Sequence, residues 1–228
     1  MTALRGFLAV VRWDLVLELR RREAVLNMTL FAVLVLFIAS YGLSTRGDLL
    51  AGFGPLVLWI SILFAGTVGL SRAFAVEREA GALTGVLVSP IDPGVFYLAK
   101  AAATWLYVMV MGVLVIGAYV VLFNYTAWAR LPVLAAILGA FTLPYVAAGT
   151  VIAAMTATLR GGEVVLRVLL FPLMVPAVII VLGAGGWLFP DPALPEAPFP
   201  AKPLAGLASL GVMYLCAGYV LFPKVIEE

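Results

Sequence analysis

The sequence predicts an all-α integral membrane protein with six transmembrane helices, and three observations carry that prediction. The first is the spacing of charge. No Asp, Glu, Lys or Arg occurs in residues 24–45, 49–71, 101–129, 131–159, 168–190 or 203–223, and each window reaches the roughly 20 residues a helix needs to cross the hydrocarbon core. The second is composition: 64% of residues are hydrophobic and 11% charged, against about 25% charged in soluble domains. The third is an asymmetry of basic residues. With the N-terminus inside, Arg5, Arg12, Arg20, Arg21, Arg22, Arg72, Arg78, Lys100, Arg160, Arg167 and Lys224 face the cytoplasm, and only Arg46, Arg130 and Lys202 fall outside. That bias orients both termini towards the cytoplasm and accounts for the basic N-terminus without nucleic acid. A β-barrel would need segments of about ten residues with alternating polarity, a pattern these windows lack.

Taken in order, residues 1–23 read as an interfacial helix. Leu4, Phe7, Leu8, Val11, Leu15 and Leu19 recur at helical spacing, with Arg5 and Arg12 to the side. Two roles are open for it: a surface anchor, or an elbow linking cytoplasmic movement to the first span. The apolar run that follows is long enough to span, which does not fit a cleavable signal peptide. Span one covers about 24–43 and span two about 51–71, where Gly66 and Gly69 suit close helix packing. Residues 72–93 form a charged, amphipathic cytoplasmic segment, and Pro90 and Pro93 break the backbone before span three at about 96–123. Tyr125 and Trp128 in the following outer turn sit where interfacial aromatics are expected.

Span four, about 131–158, contains Pro144 and a small-residue patch at 147–150. Span five, about 164–187, carries Arg167 four residues after Glu163, a spacing that suits a helical ion pair. It also holds Pro172 and Pro176, one turn apart. Each removes a backbone donor that lipid cannot replace, so the pair reads either as a packed kink or as a hinge or pathway lining. Residues 188–203 hold Pro190, Pro192, Pro195, Pro198, Pro200 and Pro203, and read as a stiff outer, periplasmic loop. Span six covers about 204–222 and contains Cys216, a lone cysteine that permits no internal disulfide.

Motifs that would carry chemistry are missing from the sequence. It has no Gly-x-x-x-x-Gly-Lys-Ser/Thr loop to cradle ATP, no carboxylate deep in a predicted span to relay ions, and no histidine. The expectation is a non-catalytic chain with no metal or cofactor of its own. A cargo mover of that kind needs an external engine, and 72–93 is the natural place for an ATPase to grip.

The run E-R-E-A-G-A-L-T-G-V-L-V-S-P at 77–90 resembles the cytoplasmic signature of ABC-2-type (type V exporter-like) permeases. Five stretches narrow the resemblance to the CcmB family, the membrane subunit of the cytochrome c maturation ABC system. They are L-E-L-R-R-R-E-A at 17–24, L-W-I-S-I-L-F-A-G at 58–66, R-A-F-A-V-E-R-E-A-G-A-L at 72–83, G-T-V-I-A-A-M-T-A-T at 149–158 and E-V-V-L-R-V-L-L-F-P-L-M-V-P at 163–176. The resemblance departs at Arg167, where proline or a neutral residue is expected, at Thr84, where a carboxylate is common, and in the proline-rich loop.

The resemblance implies a single permease domain over 1–228 in the bacterial inner membrane, whose segment 72–93 is a coupling helix docked on the ATPase CcmA. Glu77, Arg78 and Glu79 would make the polar contacts, and Leu83 and Leu87 would fill an ATPase cleft. Gly81 would allow close approach, and Ser89 and Pro90 would end the helix. It further implies two copies of this chain per complex, association with CcmC and CcmD, and release of the haem-loaded chaperone CcmE. With no histidine here, haem is expected on partner chains and ATP on the ATPase. A general ABC-2 exporter of a drug, lipid or polysaccharide shares the same coupling segment. A scaffold without energy coupling is the remaining alternative.

Overall fold

The computed structural model describes residues 3–21, 23–43, 47–72, 91–157, 159, 161–190 and 197–227. Its long helices are α1 (Ala3–Arg21), α2 (Glu23–Leu43), α3 (Gly47–Arg72), α4 (Pro93–Leu122), α5 (Leu131–Thr156), α6 (Gly162–Leu182) and α8 (Ala201–Glu227), with a single turn, α7 (Gly185–Leu188), after α6. Six of these, α2 to α6 and α8, are long and apolar enough to cross a membrane. The all-α, six-span prediction therefore holds for the described residues.

Helix boundaries follow local chemistry. Asp92 caps α4: its carboxylate accepts from the backbone N–H groups of Gly94 at 2.8 Å and Val95 at 3.1 Å. Pro93 opens the helix instead of breaking the chain, because the first position of a helix needs no N–H. α4 thus begins three residues earlier than the sequence reading placed it. Gly161 leads into α6 with φ of 75°, a left-handed conformation that favours glycine. α8 runs through Pro203 and Pro223 and is longer than the predicted 204–222. Pro203 lies in its first turn, where N–H groups have no partner within the helix.

Two helices form the centre. α5 packs most extensively on α8 and also meets α3, α4 and α6, while α4 contacts α1, α2, α3, α5 and α8. From Phe141 to Ala154 every residue of α5 except Leu143 is buried. Buried threonines in such a span can satisfy their hydroxyls within the helix. Thr142, Thr150 and Thr156 do so by donating to the carbonyls of Leu138, Val146 and Ile152 at 2.7–2.8 Å. The small patch at 147–150 has a packing reason: a Cβ on Gly149 would collide with the Leu70 side chain of α3. Gly66 likewise faces the Tyr145 ring, so both helices of the seam surrender side chains to bring their backbones together.

Candidate functional site: the helix junction beside the charged segment

The sequence-predicted docking residues Glu77, Arg78, Glu79, Gly81, Leu83, Leu87, Ser89 and Pro90 lie outside the described residues. The structure does describe what flanks them, the end of α3 and the entrance to α4. The backbone of Gly6 in α1 faces Ile91, whose side chain would lie 3.5 Å from a Cβ there. Two turns into α4, the Lys100 ammonium contacts both carboxylate oxygens of Asp14, at 3.1 Å from Oδ1 and 3.0 Å from Oδ2. The side chains are only 5% and 14% exposed.

α8 closes the other side of the same two turns. Phe222 is fully buried against Tyr97 and Phe96, with ring centroids 5.5 and 6.1 Å apart, and Tyr219 lies over Gly94. Tyr97 also donates from its hydroxyl to the Ala147 carbonyl of α5 at 3.0 Å. α1, the start of α4 and the end of α8 therefore meet at one end of the bundle, which brings both ends of the described chain to the entrance of α4.

Sequence reasoning counted Lys100 only as an inside-facing cation and gave Asp14 no role. It assigned the side of α1 that carries Leu4 and Leu8 to the membrane surface and named no side for packing on the protein. Gly6, Val10, Asp14 and Leu17 form the inward line, whereas Leu4 and Leu8 are 68% and 55% exposed. The available signal was Asp14 itself, placed one turn from Val10 and Leu17.

In span five, Pro172 and Pro176 lie on the exposed face of α6, opposite buried Leu166, Leu170, Met174 and Ala177. Glu163 and Arg167 form the expected i,i+4 pair, at 3.6 Å and largely exposed. The Tyr214 hydroxyl of α8 donates to the Leu173 carbonyl, between the prolines, at 3.1 Å.

The opposite end of the bundle is fastened by rings. Tyr125 is buried, unlike a lipid-facing anchor, and its hydroxyl donates to the Leu188 carbonyl at 2.8 Å. Burial raises its pKa above the ordinary tyrosine value, and the nearby Arg130 charge partly opposes that shift. Arg130 donates to the Trp187 carbonyl and lies 4.9 Å from the centre of that residue's ring. Trp128, by contrast, is 63% exposed. Among the described residues no three His, Cys, Asp or Glu side chains group together.

Six helices long and apolar enough to cross a membrane define a multi-pass α-helical membrane protein. The family model described as CcmB protein matches residues 5–186. Heme exporter protein B of Bradyrhizobium diazoefficiens is 30% identical over 213 residues, covering 92% of this chain and 93% of that protein. Heme exporter protein B of Rhodobacter capsulatus is 31% identical over 150 residues, 65% of this chain and 68% of that one. The Haemophilus influenzae protein of the same name is 28% identical over 185 residues, 79% and 82% of the two chains. The chain belongs to the CcmB family.

Proposed function

We propose that this chain is the membrane subunit of a haem-exporting ABC transporter complex that serves c-type cytochrome maturation. The observation that carries this reading is the family match over residues 5–186, joined by relatives named heme exporter protein B. ATP hydrolysis belongs to a separate subunit, CcmA, because this sequence holds no phosphate-cradling loop. CcmC and CcmD complete the assembly, which contains two copies of this chain as one permease domain each. Haem sits on partner chains, and hydrolysis drives release of haem-loaded CcmE. The membrane is the bacterial inner membrane, with both termini cytoplasmic.

In this reading the ATPase docks on 72–93, through Glu77, Arg78, Glu79, Gly81, Leu83, Leu87, Ser89 and Pro90. The junction geometry supports it: a push arriving at Ile91 meets α1, α4 and α8 together. Pro172 and Pro176 act as a hinge or line a pathway. With no proline N–H to bind them, the carbonyls of Val168 and Pro172 lose their helical donors on an exposed face. Lipid supplies no donor, so water or a neighbouring subunit meets them there.

The test combines Glu77→Ala with Glu79→Ala. ATPase co-purification and c-type cytochrome yield are both expected to fall while insertion stays normal. Wild-type levels of both in a normally inserted protein would defeat the docking role.

A further inference from the structure

We infer that Asp14 and Lys100 are positioning residues that fix α1 to the entrance of α4, so that movement delivered through residues 73–90 carries both helices as one body. The inference rests on the reading that an ATPase engages that segment, but its geometric half stands alone. α1 packs mainly on α4 and only slightly on α2, the helix that follows it in sequence. Its place is therefore set by a helix about 90 residues further along the chain, not by its own continuation.

The nature of that attachment matters. An ion pair this buried is seldom the best choice for stability, since apolar replacements often do as well or better. What it supplies is register. An ammonium seated between two carboxylate oxygens at 3.0 and 3.1 Å leaves little room to slide, whereas Val10 and Ile91 would tolerate displacement. The position is also fitting. Lys100 lies seven residues beyond Pro93, about 10 Å along the helix axis, within the turns that α8 holds from the other side through Tyr97 and Phe222. On the outward side of α1, Arg5, Arg12, Leu4 and Leu8 are exposed, as suits a helix that moves along a membrane surface.

The test uses the assembled complex and four forms of the chain: unaltered, Asp14→Asn, Asp14→Asn with Lys100→Met, and the swap Asp14→Lys with Lys100→Asp. The double neutral form keeps the experiment informative if the single variant folds poorly, because it removes both charges of this pair together. Spin labels at Leu8→Cys and Leu106→Cys, in a Cys216→Ser background, report the distance between α1 and α4. In the unaltered pair the component from the two labels within one chain is expected to be narrow. Its width should at least double in the double neutral form and narrow again in the swap.

In the same preparations ATPase retention and ATP hydrolysis should stay at wild-type levels in the double neutral form. Cytochrome yield per ATP should drop at least fivefold, and the swap should recover half of it or more. Unchanged widths, or full yield from the double neutral form, would overturn the inference. Failure of the unaltered chain to retain the ATPase would instead sink the docking reading, and the widths would still decide whether the pair holds α1.

Discussion

At the end of the bundle where α1, the entrance of α4 and the end of α8 meet, the fastening combines buried charge with interlocked aromatic rings, drawn from residues as far apart as 14, 100 and 222. At the opposite end Tyr119, Tyr125 and Arg130 close on Trp187, Leu188 and Phe189 through ring contacts, hydrogen bonds to two carbonyls and one cation over a ring. The difference follows from what each fastening resists. Ring contacts are short-ranged and tolerant of small shifts. A buried ion pair is intolerant, because separating it leaves a charge without its counter-charge in a poorly solvated site. One end is built to settle and the other to hold register.

The sharpest way to break this contrast is one-sided removal of the charge pair. Lys100→Ala should cost about 3–5 kcal/mol, read as a large fall in unfolding temperature in detergent, with the loss mostly restored when Asp14→Asn is added. At the opposite end Arg130→Ala should cost about 1–2 kcal/mol, for one carbonyl hydrogen bond and one cation–π contact. Equal losses from Lys100→Ala and Arg130→Ala would erase the distinction between the ends.

Tyr125→Phe sharpens it further, with an expected cost of about 1 kcal/mol near neutral pH. Because the folded-state pKa of Tyr125 is raised, its contribution is fully present below the ordinary value of 10.0 and is lost as pH rises through the raised one. Wild type should therefore lose stability faster than Tyr125→Phe above pH 10.0 in alkaline unfolding curves. The smallest effect belongs to the exposed helical pair: Glu163→Gln should change stability by about 0.5 kcal/mol or less. A larger change there would mean that this side of α6 is covered in the assembly.

What could be read from the sequence follows a physical divide. The spans were legible because a bilayer excludes charge, so the charge-free runs 24–45, 49–71, 101–129, 131–159, 168–190 and 203–223 mark them directly. The Glu163–Arg167 pair was legible because helical periodicity alone brings the two together. Asp14 and Lys100 were not. Each reads as an ordinary charge near an interface, and only the packing of α1 on α4 joins them across 86 residues. Tyr125 misled for a related reason. An aromatic at membrane depth satisfies the rule for an interfacial anchor, but the rule cannot see the Leu188 carbonyl that draws the ring inward. The boundary at Pro93 was missed because proline was taken as a breaker, when Asp92 before it makes it a starter. The charged segment carries the docking expectation, and residues 73–90 of it lie outside the described residues.

The dependence of α1 on α4 also has a consequence for biogenesis. A ribosome making this protein releases the first helix long before the lysine that will hold it exists. The amino-terminal helix is therefore complete while the two spans that precede its docking partner are still being made. Its final seating comes only once the third span has been made, so a truncated nascent chain ending before residue 100 would carry a helix that has no berth.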